Sequence, residues 1–81
     1  MRLPRNLDGE ELARLLRRYG YGITRQAGSH LRLTTTQNGE HHVTIPHHSP
    51  LRVGTLNSIL RDVADHFHLE RDQLIESLLD K

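Results

Sequence analysis

Apolar residues near the start of the chain fall at Leu12, Leu15, Leu16 and Tyr19, the i, i+3, i+4, i+7 spacing of one helix face. A helix over residues 8–19 is predicted. Asp8 can cap its first turn, Glu11 completes a capping box, and Gly20 stands where a left-handed residue would end it. The period then drops to about two. Residues 21–26, 30–36 and 41–45 read as strands, joined by Ala27-Gly28-Ser29 and by Gln37-Asn38-Gly39-Glu40, whose Asn-Gly is a strong hairpin signal. Pro46 ends the third strand. A loop follows, and Gly54-Thr55 opens a second helix with Thr55 as N-cap. Its stripe is Leu56, Ile59, Leu60, Val63 and Phe67. A third helix over residues 71–79 buries Leu74, Ile75, Leu78 and Leu79 behind Glu70, a poor capper, so fraying is expected there.

The order α-β-β-β-α-α defines a single α+β domain, a three-stranded antiparallel meander with helices covering one face. Leu31 and Leu33 should point toward the helices. His30, Arg32 and Thr34 then share the open face with His42 and Thr44.

Charge changes this picture more than composition does. The chain has 81 residues, no cysteine and a net charge of +1, which leaves no disulfide or zinc-ribbon scaffold. Residues 1–54 hold eight arginines against four acids, +4, whereas residues 55–81 hold three cations against six acids, −3. A basic front with an acidic tail points to an anionic partner for the first two thirds. Ten of the eleven cations are arginine, whose planar fork suits phosphate, although an arginine-rich genome would give the same count. No leader or membrane-spanning run is recognisable, so a cytoplasmic protein without a membrane partner is expected.

Three features could carry chemistry. Gly28-Ser29-His30 delivers an imidazole to a strand start between Arg25 and Arg32. Such a histidine can move a proton at neutral pH while arginines hold a phosphate. RNA brings its own 2′-hydroxyl nucleophile, so no serine, cysteine, metal or cofactor is required. Spacing alone is also met by a solvated histidine beside a turn, the commoner case. Arg52-Val53-Gly54-Thr55-Leu56 combines an arginine with a helix N-terminus, an anion site or an ordinary helix start. The histidines at 41, 42, 47 and 48 invite a metal reading, but His41 and His42 point to opposite faces and have no carboxylate at ligand spacing. Metal binding is therefore not expected. Phosphate-cradling glycine loops, the Gly-x-Ser-x-Gly elbow and His-Glu-x-x-His are absent from the sequence. The acids should be solvated or paired with Arg14, Arg18 or Arg61 at helical spacing.

Taken in order, Leu12-x-x-Leu15-Leu16, Gly20-Tyr21, Arg25-Gln26-x-Gly28-Ser29-His30, Val43-Thr44-Ile45-Pro46 with His48, and Gly54-Thr55-Leu56-x-Ser58-Ile59-Leu60 resemble the HicA family of toxin–antitoxin mRNA interferases. The resemblance implies a double-stranded-RNA-binding-domain-like fold and ribosome-independent cleavage of mRNA. It implies His30 as the catalytic residue, Gly28 and Ser29 as the frame of its turn, and a HicB-like antitoxin that covers the site. Arg25, Arg32, Arg52, Gly54 and Thr55 are RNA-binding candidates on chemical grounds. His48 or a bound water is the candidate second acid/base group. Relatives often carry an aromatic after the histidine, where Leu31 and Leu33 stand here. The second helix is longer, through His68, an extension suited to packing the third helix or to a homodimer contact. Two other readings stay open: a non-catalytic RNA-binding module and a pure protein-interaction domain.

Overall fold

The computed structural model describes residues 7–48 and 50–79; Arg2 and Arg5, counted in the basic front, lie outside them. Helix α1, Gly9–Leu15, carries the expected capping box. The Asp8 carboxylate accepts from the Glu11 amide at 2.7 Å, and the Glu11 side chain accepts from the Asp8 amide at 3.3 Å. The helical run to residue 19 is expected as one helix, but its last turn, Leu16–Tyr19, tightens to 3-10 geometry. It ends at Gly20 with φ of 81°. A Cβ there would also meet the Thr35 hydroxyl at 2.8 Å, so glycine is required twice over.

Strands β1, Gly22–Ala27, β2, His30–Thr35, and β3, His41–Pro46, pair antiparallel in the order β1-β2-β3. Pro46 is the last residue of β3, opposite His30, and not the first beyond it. The second hairpin loop spans residues 36–40, with Asn38 and Gly39 both at positive φ. Thr35, the buried polar residue, is satisfied at the loop's base: its hydroxyl donates to the Tyr19 carbonyl at 2.6 Å and accepts from the Gln37 amide.

The second helix, α2, is Val53–His66. Thr55 is not its N-cap. Arg52 holds that place with no side-chain cap, because burial of Leu51 and its amide bond to the Leu7 carbonyl set where the helix begins. Packing overrides cap chemistry here. At the far end, His68 takes φ of 57°, while its amide and that of Leu69 donate to the Asp65 and Ala64 carbonyls. That is a Schellman closure with histidine where glycine is usual. Helix α3 is Arg71–Leu79, and among the described residues the Glu70 side chain makes no hydrogen bond at its start. Gln73 instead accepts from the Glu70 amide at 2.8 Å, and Arg71 reaches Asn57 of α2 at 2.6 Å. Leu74, Ile75 and Leu78 are buried and Leu79 is half-buried.

The alternation along β2 sorts as expected. Leu31 and Leu33 are buried with Val43 and Ile45 under Leu12, Leu16, Leu56 and Leu60, while His30, Arg32, His42 and Thr44 are exposed on the other face. The helices cover the sheet unevenly: they pack on β3, and β1 is exposed along its whole length. The arrangement is an α+β double-stranded-RNA-binding-domain-like α-β-β-β-α fold with an added C-terminal helix.

Candidate nucleic-acid interface

The β1–β2 turn is two residues long, with Ala27 paired to His30. Gly28 takes φ of 57° and Ser29 does not enter the left-handed region, as a type II′ hairpin asks of its first and second central residues. This turn fixes His30 at the first position of β2 on the open face. The Ser29 carbonyl accepts from the His47 amide at 2.6 Å, so the turn is anchored to the loop that leaves β3.

One step along the open face from His30, Arg25 and Arg32 are direct cross-strand partners, with Thr44 next to them on β3. Like charges directly opposite each other weaken a sheet, and neither arginine has an ion-pair partner among the described residues. The pair therefore carries uncompensated positive charge, the arrangement that favours a bound anion.

The other side of His30 is formed by its cross-strand partner Pro46. Pro46, His48, Pro50, Leu51, Arg52 and Thr55 line an open groove of about 510 Å³. The loop is held there by α1. The Gly9 amide donates to the His48 carbonyl at 3.0 Å, and a Cβ on Gly9 would run into the Pro46 carbonyl. Helix α2 starts at the groove's edge, with Gly54 exposed in its first turn. The structure thus brings Arg25, Gly28, Ser29, His30 and Arg32 together on one hairpin, and His48, Arg52 and Thr55 together in the adjoining groove.

The seven histidines separate cleanly. His41 lies between the Tyr21 hydroxyl at 2.7 Å and Asp62 at 3.1 Å; His42 bonds Glu40 at 2.9 Å and the Thr34 hydroxyl at 2.7 Å. His47 meets Glu10 at 2.8 Å, and His66 donates to the Gln37 and Gly39 carbonyls. His30, His48 and His68 make no side-chain hydrogen bond among the described residues. Three acids pair with histidines, Glu10 with His47, Glu40 with His42 and Asp62 with His41, and Asp72 pairs with Arg71. Among the described residues no three metal-ligating side chains converge. Sequence reading missed these acid–histidine pairs because two of the three join distant parts of the chain; only Glu40, the last residue of the hairpin loop, and His42, two residues on in β3, left a local signal. It also missed the proline-walled groove, which exists only after β3 and α2 are juxtaposed.

Electrostatics at the opposite end of the sheet are different. Burial, with the Asp62 charge adding, pushes the Tyr21 phenol from 10.0 up to about 12. It is therefore a neutral hydroxyl that can donate to His41.

This small α+β domain thus sets, on its open sheet face, a histidine with no side-chain hydrogen bond among the described residues beside a pair of facing arginines. Residues 9–64 match the family model of the HicA toxin of bacterial toxin–antitoxin pairs, and the chain belongs to that family. No curated protein and no solved structure matches it. The match begins at Gly9, the residue that α1 presses against Pro46, and ends within α2; α3 lies beyond it. As a toxin of such a pair the chain has a cognate antitoxin as its partner. Among the described residues no helix is long and apolar enough to cross a membrane.

Proposed function

We propose that this toxin is a cytoplasmic endoribonuclease that cuts mRNA through His30 without a metal ion. The observation that carries the reading is His30 itself, without a side-chain hydrogen bond among the described residues, beside the turn of a fixed hairpin and between the Arg25–Arg32 pair and the Pro46 groove. Arg25 and Arg32 hold the non-bridging oxygens of the scissile phosphate. The neutral His30 imidazole takes the proton of the 2′-hydroxyl as its oxygen bonds to phosphorus. The bond from phosphorus to the 5′-oxygen breaks, and His48 or a water protonates that oxygen. The products are a 2′,3′-cyclic phosphate and a free 5′-hydroxyl. Arg52, Gly54 and Thr55 receive the next phosphate at the start of α2, and Gly28 and Ser29 keep the turn narrow enough for RNA to pass close.

One observation favours a second reading. Among the described residues His30 has no side-chain hydrogen bond to fix its tautomer, unlike His41 and His42, which suits a non-catalytic RNA-binding module. Incubation of the chain and His30→Ala with labelled mRNA in EDTA at pH 7 distinguishes them. Cleavage by the unaltered chain alone, leaving cyclic phosphate ends, supports the nuclease. Retained binding with intact RNA for both supports the binding module.

A further inference from the structure

The helices leave β1 uncovered on both faces and along its outer edge. Ile23 pairs with the buried Leu33 and so points to the helix side, yet it is 52% exposed. Gln26, opposite the buried Leu31, is exposed in the same way. Between this overhang and the outer side of α1 runs a groove of about 180 Å³, walled by Ala13, Tyr21, Ile23 and Leu31 and rimmed by Arg14 and Arg17. Glu10 also reaches the rim, but its carboxylate is engaged by His47. Neither Arg14 nor Arg17 has an ion-pair partner among the described residues.

An edge strand offers a row of backbone donors and acceptors, and β1 holds no proline or lysine that would block them. Its defences are charge and the irregularity between Ile23 and Arg25. That charge is selective. Pairing β1 with β1 of a second copy would set Arg14, Arg17 and Arg25 of one molecule against the same groups of the other. A strand carrying carboxylates would instead be drawn in.

We propose that the β1 edge and its groove are the docking site of an acidic, extended segment of the antitoxin, which adds a fourth strand to the sheet. One apolar side chain of that segment fills the groove over Ile23, and its carboxylates meet Arg14 and Arg17. This grips the toxin on the helix side of β1, away from the open face that holds His30. The proposal rests on membership of the toxin–antitoxin family and not on the cleavage reading.

Hydrogen exchange on the full chain, alone and with its cognate antitoxin, tests the site directly. Expected is strong protection of the amides of residues 23–27 in the complex. Ile23→Lys and, separately, Arg14→Glu with Arg17→Glu should each speed dissociation at least tenfold while RNA binding at the open face persists. Dissociation unchanged in both variants, β1 amides unprotected in the complex, or no complex at all would overturn the proposal. So would protection of β1 in the chain alone through self-association, which would make a second copy the occupant. These readouts do not involve RNA cleavage, so a chain that fails to cut RNA leaves them intact.

Discussion

At the β2–β3 loop end of the sheet, His41 and His66 stack 4.4 Å apart, with every polar contact tied to Tyr21, Asp62 or the loop carbonyls. At the β1–β2 turn end, His30 and His48 make no side-chain hydrogen bond among the described residues and lie by the groove and the arginine pair. The same side chain is a structural joint at one end and, in the proposed reaction, the proton carrier at the other. The difference follows from the neighbours: α2 passes over the start of β3 and brings Asp62 and His66 to it, whereas beyond the end of β3 the backbone of His47 and His48 is tied to Ser29 and Gly9 and their surroundings include the proline-walled groove.

This contrast can be broken in order of expected effect. His30→Ala should lower RNA cleavage by about 100-fold or more while the melting temperature stays unchanged. His41→Ala should do the opposite, costing about 2 kcal/mol of stability because it strands the Tyr21 hydroxyl, with cleavage per folded molecule unaltered. Chemical denaturation of both variants, set beside product analysis, checks the pair of outcomes. Equal effects of the two substitutions on cleavage would erase the distinction between the ends.

Alkaline pH sharpens it further. The Tyr21 phenol is neutral in the fold up to about 12 against 10.0 unfolded, chiefly through burial. Because the folded value is the higher, its stability contribution is full below pH 10 and is lost as pH rises through about 12. Tyr21→Phe should flatten stability against pH across that window, and melts of the two proteins at matched pH measure it.

Smaller effects come from conformation and charge. His68→Gly should raise stability by about 1 kcal/mol, since the left-handed site at the end of α2 favours glycine. Arg32→Thr should raise it by about 0.5 kcal/mol by relieving the repulsion from Arg25. The same change should weaken RNA binding and reduce the salt slope by about 0.7 per lost phosphate contact. Gain of stability with loss of binding would mark the arginine pair as kept for its ligand.

Much of the frame was legible. The leucine stripe at 12, 15 and 16 with the Asp8–Glu11 box marked the first helix, and the alternation about Leu31 and Leu33 assigned His30 and Arg32 to the open face before any contact was known. Local rules failed where distant packing intervened. Thr55 is a good capping residue, yet the buried Leu51 starts α2 earlier. The acids have suitable helical neighbours, yet Glu10 and Asp62 find His47 and His41 across the fold.

Sequence by itself determined the element order, the inner and outer faces of the strands and the two turns beside His30 and Gly39, because period and glycine placement act over a few residues. Only the tertiary structure decided which histidines are engaged, that Arg25 stands opposite Arg32, and that β1 is left uncovered by the helices. Those outcomes depend on strand register and on where α1 and α2 settle, and both are set by burial summed over the whole core.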